Sequence, residues 1–404
     1  DDTAAPTITA KTINVNAESI NDKSMVSASS EASDAKVAIG GAVAINSIKN
    51  TTDAFIKGNI TSTTTEVKIE DGKNIPVTGI TVTASNIINH PLSYYDDWNE
   101  FMTDEFKSIF TGVAFSQIGE QIGDNLDGID FTFYNPSDYV AAIDGITTPI
   151  KDTLGAAVPS FDVFTNLANT TSFGLEKLFT TYALGTNSAQ TKGDGATTSV
   201  AATVAITDIN NSANAYIAPG STITSHNEVK INASNDTDNW SMAGLFKLSN
   251  ITSMLNGNSA ENGSAVGGSI TISMTDDNAS AYIGDNATVN VTDGTAVLSS
   301  TSEENIVTAS AGSSTGDKAG ISGSVAVTNV TGTTQSYIDK NVVLNADNLD
   351  MSSKSNPLIV ALTLGAASSQ QGALGVGVSV INLDNIIKSY IDDSGTTAGV
   401  TLDS

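Results

Sequence analysis

The chain has 404 residues, no cysteine, and 17 Lys with no Arg against 44 acids, for a formal charge of −27. That charge repels nucleic acid and anionic lipid, and the missing thiol removes disulfides, zinc thiolates, iron–sulfur clusters and cysteine nucleophiles together. The length suits two or three ordinary domains or one solenoid, and the richness in Thr, Ser, Asn, Asp and Gly favours the solenoid, whose tight turns need those residues.

The first predicted element is the phrase Ile13-Val15-Ala17-Ser19, a hydrophobic, hydrophobic, small, polar alternation of period two. It recurs as Ile80-Val82-Ala84-Asn86 and Val229-Ile231-Ala233-Asn235, more weakly as Ala296-Leu298-Ser300 and Leu349-Met351-Ser353, and is cut short at Val400-Leu402-Ser404. A second phrase interleaves with it. An aromatic residue flanked by Ala or Ser and by Ile stands at Phe55, Tyr216, Tyr282, Tyr337 and Tyr390. Twelve residues upstream lie Val43, Val204, Ile270, Val325 and Val378; ten upstream lie Ile45, Ile206, Ile272, Val327 and Val380.

Only small residues separate those pairs: Ala44, Ala205, Thr271, Ala326 and Ser379. β-Branched residues at a period of two predict a half-buried strand, then a polar turn, then a second strand holding the aromatic. On that reading Val43, Ile45 and Ile56, with their counterparts through Val378, Val380 and Ile391, form inward aliphatic columns. The five aromatics share one side of the molecule. Repeats that cannot bury their own apolar face must stack on their neighbours. A dozen or so coils would give a rod on the order of 60 Å. Both ends fall inside repeats, as expected of an excerpt from a longer repetitive protein.

Between Asn89 and about Asp194 the pattern changes, for ten of the twelve Phe fall there. Trp98, Phe101, Met102, Phe106, Ile109, Phe110 and Val113 follow helical spacing, as do Tyr139, Val140, Ile143, Ile146, Ile150 and Leu154, and then Phe173, Leu175, Leu178, Phe179 and Tyr182. Ser137 or Asp138 can cap the second run. These runs predict a helical insert, either a decoration with its own core or a recognition head. The predicted organisation is residues 1–88 solenoid, 89–193 α-helical insert and 194–404 solenoid.

The phrases GGAVAINSIKNTTDAFI, ISGSVAVTNVTGTTQSYI and GVGVSVINLDNIIKSYI make roughly 300 residues resemble the repeats of large bacterial surface adhesins, filamentous haemagglutinins and autotransporter-type passengers, leukotoxin-like repeat proteins among them. The resemblance implies a β-helix shaft, secretion across an outer membrane, and attachment to cells or matrix. The expected localisation is the surface of a Gram-negative bacterium.

Sites for chemistry are sparse. His90 and His226 stand 136 residues apart and read as surface or turn residues, with no His-x-His or His-Glu-x-x-His. The Gly375-Val376-Gly377 phrase heads a repeat strand, where close backbone packing explains it better than a phosphate does. Asp276, Asp277, Asp392 and Asp393 are the candidate Ca²⁺ ligands, weighed against solvated acids that keep a repetitive β protein soluble. No other cofactor is expected, and no enzyme.

The fold expected is mainly β: a parallel β-helix (β-solenoid) of about five repeats carrying the α-helical insert. Its expected role is a rod-like scaffold binding a protein or glycan on cells or matrix. The alternatives are a self-associating filament, sheath or biofilm subunit, and a carbohydrate-active enzyme with two carboxylates on one solenoid face.

Overall fold

The computed structural model describes residues 6–21, 24–70, 73–89, 180–189, 197–245, 258–260, 262–392 and 401–403. Strand dominates them and no helix occurs among them. The chain winds as a flattened parallel β-solenoid with two broad walls and one narrow edge.

The front wall stacks Val37–Ile56, Thr198–Ile217, Ser264–Ile283, Ala319–Ile338 and Gly372–Ile391, each 20 residues long. The edge stacks strands of three or four residues, among them Asn59–Ser62, Thr222–Ser225 and Thr288–Val291. The back wall is built from Ile13–Asn21 with Val26–Ala35, Ile80–Ile88 with Thr181–Ala189, Val229–Leu245 with Asn258–Ala260, Thr295–Gly316 and Asn348–Ser369. A small antiparallel hairpin, Val67–Glu70 with Lys73–Pro76, branches off after the edge strand Asn59–Ser62. Residues with positive φ, Gly58, Gly220, Asn286 and Asn341, turn the chain from front wall to edge, where a left-handed conformation falls to Gly or Asn.

One repeat is therefore one coil. The five aromatics pair residue for residue down the front wall, Phe55 with Tyr216, Tyr282, Tyr337 and Tyr390 in turn. The dozen coils and the long rod expected from the sequence become five front strands, about 24 Å tall at the usual inter-strand spacing and about 66 Å wide at the rise of a 20-residue strand.

The expected polar turn inside each repeat is absent. Asn50, Asn211 and Asp277 stay in strand because each meets its counterpart in the next coil: Asn50 Nδ2 donates to Asn211 Oδ1 (3.0 Å), and Asn211 Nδ2 to Asp277 Oδ1 (2.8 Å). An amide ladder along the axis satisfies polar groups that would otherwise break the strand.

The interior changes character across the walls. Beside the edge, Ile56, Ile217, Ile283 and Ile338 pack with Ile60, Ile223, Ile80, Val82, Ile231 and Leu298 in the main apolar core. Beyond it runs a polar seam of Asn86, Asn235, Asn211, Thr237 and Asp277, and then Ile48, Ile88 and Ile209. Farther on, hydroxyls and amides link the walls: Thr207 Oγ1 meets Thr181 Oγ1 and Ser241 Oγ at 2.6 Å, and Asn239 Nδ2 donates to Ser273 Oγ at 2.8 Å.

At the far side the described inward side chains are Ala, Ser, Thr and Gly, with Val26 of the first coil at the margin, and the walls converge. A Cβ added to Gly312 would lie 2.5 Å from the Gly323 carbonyl oxygen, and one added to Gly375 would lie 2.3 Å from that of Gly365. Glycine is required where the two backbones touch.

This convergence overturns the predicted inward columns. Ala44, Ala205, Thr271 and Ala326 point inward and are buried, whereas Val43 and Ile45 are 59% and 60% exposed. Val204 with Ile206, Ile270 with Ile272, Val325 with Val327, and Val378 with Val380 share their outward parity. Ile56, Ile217, Ile283 and Ile338 do face inward. A gap that narrow admits only small side chains, so the β-branched residues face outward.

The expected solenoid parts are one stack, since Val37–Ile56 pairs with Thr198–Ile217 over all twenty residues. The helical runs at 98–113 and 139–154 lie outside the described residues. The third run ends at Tyr182, which is not helical: Thr181–Ala189 is a back-wall strand, paired with Ser241–Leu245 and with Val26–Ala35. Ile80–Ile88 pairs with Val229–Thr237 just before it. The chain between 88 and 181 thus departs from within a back-wall strand, not at a repeat junction as expected, where the next coil needs only residues 238–240.

Candidate functional sites on the solenoid

Four features carry polar or aromatic chemistry. The first is the aromatic ladder at the edge side of the front wall. Phe55, Tyr216, Tyr282, Tyr337 and Tyr390 project outward and stack, with ring centroids 5.1, 4.7, 4.8 and 5.2 Å apart and interplanar angles of 13° or less. In-register coils impose that geometry. Every interior ring has both faces covered by its neighbours, so the ladder offers hydroxyls and ring edges to solvent. Burial in the stack pushes the Tyr282 phenol up to about 12, with Tyr216, Asp53 and Asp339 adding to it, and raises Tyr337 further. These phenols stay neutral donors at physiological pH.

The second feature is a pair of carboxyls inside the solenoid. Asp277, from the front wall, is 0% exposed; Glu304, from the back wall, is 1% exposed. Burial raises Asp277 to about 7, opposed by hydrogen bonds from Thr237 and Asn211 and reinforced by Glu304 and Asp276. Burial also raises Glu304, opposed by the Ser302 hydroxyl, which donates to Glu304 Oε1 at 2.6 Å. Asp277 Oδ2 and Glu304 Oε2 are buried without a hydrogen-bond partner. Here the regular ladder between Ser264–Ile283 and Ala319–Ile338 skips residues 277 and 278, and Asn278 Oδ1 accepts from the Thr333 amide at 3.0 Å.

The third is the set of proposed calcium ligands, within which the fold separates Asp276 from Asp277. Adjacent strand residues point to opposite faces. Asp276 is therefore outside, where its carboxylate accepts from Asn210 Nδ2 (3.3 Å) and Asn278 Nδ2 (3.1 Å), while Asp277 is inside. Asp392 follows the last front strand, and Asp393 lies outside the described residues. Among the described residues no three His, Cys, Asp or Glu side chains are placed to hold a metal ion. His226 sits in a turn, with Nδ1 3.1 Å from Asp293 Oδ2, and His90 lies outside the described residues.

The fourth is the relief of the front wall's outer face. Its Ile39 column (Val200, Val266, Ile321, Leu374), Val43 column and Ile45 column are aliphatic in every coil, while the Gly41 column between them runs Ala202, Gly268, Gly323 and Val376. A Cβ on Gly323 would meet nothing within 4 Å, so this column is an open trench between ridges over the first four coils and is filled by Val376 in the fifth. Sequence reasoning assigned the Val43 and Ile45 columns to the core and missed both this face and the buried Asp277–Glu304 pair. Parity held the signal: counted back from Ile56 by twos, the inward set is Ala54, Thr52, Asn50, Ile48, Asn46 and Ala44.

The Gly375-Val376-Gly377 phrase has the close packing expected of it, Gly375 against the Gly365 backbone and Gly377 against the Thr363 side chain. The chain matches no protein-family model, no curated protein and no solved structure.

Proposed function

We propose that this chain is a structural and adhesive segment of a secreted bacterial surface protein, a stiff scaffold that presents binding surfaces on cells or matrix. The observation that carries the reading is the near-continuous lateral bonding of the front wall, interrupted only at residues 277 and 278 among its described strands. Five 20-residue strands are paired in register over nearly their whole length, with one aromatic ladder running across all of them. Force applied along such strands loads many backbone hydrogen bonds at once, and wide sheets offer repeated positions for weak contacts multiplied by avidity. The engaged ring faces support a scaffolding role for the aromatics over stacking on sugars.

Beads coated with the chain should be retained on epithelial monolayers or matrix-coated glass many-fold above albumin-coated beads. Retention at the albumin level on both surfaces would remove the adhesive part of the proposal. Forced unfolding in which the strands peel apart one at a time at low force, with no single high-force rupture of the front wall, would remove the mechanical part.

A further inference from the structure

The outer face of the front wall is aliphatic where a solvated sheet carries polar residues. Ile39 is 70% exposed, Leu374 57% and Ile270 41%. From the Val37 position to the Ile45 position no outward residue in any of the five coils bears a charge, on a chain whose net charge is −27. Charge returns a few residues later in the same strands, at Lys49 and Asp53, so the uncharged zone has a border.

Nine residues of strand by five strands span roughly 30 by 24 Å, about 700 Å² of flat face. Monomers rarely expose apolar patches larger than a few hundred Å², and a standard interface buries about 800 Å² per partner.

We propose that this face is a docking surface for a second copy of the chain, joined front wall to front wall about a two-fold axis. Three observations select that occupant. The area is close to what one side of a stable dimer requires. The face is charge-free, so two strongly acidic copies meet where their repulsion is least. The relief is self-complementary: the Val43 ridge lies directly beside the Gly41 trench, and a two-fold axis running between them seats each copy's ridge in the other's trench. Sheets packed face to face through aliphatic side chains form a sandwich core.

Sedimentation velocity on the whole chain from about 1 to 100 μM tests it, spanning the affinities expected of an interface of this size. The expected result is a monomer–dimer equilibrium that tightens as salt screens the net charge. Val204→Lys and Ile270→Lys should each weaken dimerisation at least ~tenfold by burying an unpaired ammonium, even though both reduce the net negative charge. Ser212→Lys, outward in the same strand but beyond the aliphatic columns, should leave it unchanged.

Because the chain has no cysteine, Val204→Cys with a nitroxide label gives an independent readout, one short intermolecular distance in the dimer. The proposal is overturned by a wild type that stays monomeric throughout the range, by a dimer indifferent to both lysine variants, by a dimer that salt dissociates, or by a labelled dimer with no such distance. Co-flotation of a monomeric wild type with phosphatidylcholine vesicles would also overturn it and assign the face to lipid.

Discussion

Asp277 shows what a single buried acid does to a repetitive core. Its folded-state value of about 7 lies above the ordinary carboxylate range because burial opposes ionisation. Between about pH 4 and pH 7 the folded chain holds a proton on Asp277 that the unfolded chain has released, so this group makes stability fall as pH rises through that window and adds no further slope above it. Asp277→Asn should remove that part of the slope and stabilise the chain at pH 8 by on the order of 4 kcal/mol, because a neutral amide carries no ionisation penalty in the buried site. Thermal midpoints of both proteins at pH 5, 6, 7 and 8 measure the difference, which separates Asp277 from the general repulsion of an acidic chain. Parallel curves would show that Asp277 does not titrate in this window. Tyr282 offers a second single-residue test, because it stacks on two neighbours while Tyr390 stacks on one. Tyr282→Ala should cost about 1–3 kcal/mol in denaturant unfolding and Tyr390→Ala about half as much; equal losses would show that stacking is not the source.

At the scale of the strand, parity decides what each substitution does. Ala205 lies inside the narrow part of the solenoid, and Val204 lies outside. Ala205→Leu should destabilise by about 1–3 kcal/mol or more, since the converging walls have no room to yield, while Val204→Ser, measured at a concentration where the chain is monomeric, should stay within about 0.5 kcal/mol. Guanidinium unfolding of the pair gives the ranking, and the reverse order would place the β-branched residues in the core after all. Strands, their stacking and the aromatic alignment were legible from the spacing alone, because equivalent residues recur at the same offset from each aromatic. The facing was not. Assuming a polar turn between the two strands reset the alternation between Ile45 and Ile56, which let both be called inward. Asn50 and Asn211 instead hold the strand together through amide contacts between coils, which no single repeat reveals. The usual equation of β-branched with buried also fails where the walls touch at glycine. The Asp276–Asp277 pair looked like one chelating unit for the same reason, before alternation put its members on opposite faces.

At the scale of the whole molecule, one repeat per coil makes the solenoid broader than it is tall, and its cohesion lies in the lateral ladders of two wide walls. The chain between 88 and 181 interrupts one back-wall strand in the middle, and both flanks keep their register against Val229–Leu245. In the next coil residues 238–240 cover the same step. Replacing residues 89–180 with the tripeptide Asp-Asn-Trp found there should therefore preserve the front wall, the aromatic ladder and a cooperative unfolding transition. Excising a long connection that leaves and returns at neighbouring points also lowers the loop-closure cost slightly, because that cost grows only with the logarithm of length. The measurements are far-ultraviolet circular dichroism for β content, near-ultraviolet signal from the stacked tyrosines, and the sharpness of the guanidinium transition. A shortened chain that loses the tyrosine signal or unfolds without cooperativity would show that residues 89–180 are part of the solenoid's own core; a cooperative β-rich product would show that the back wall closes on three residues as readily as on ninety-two.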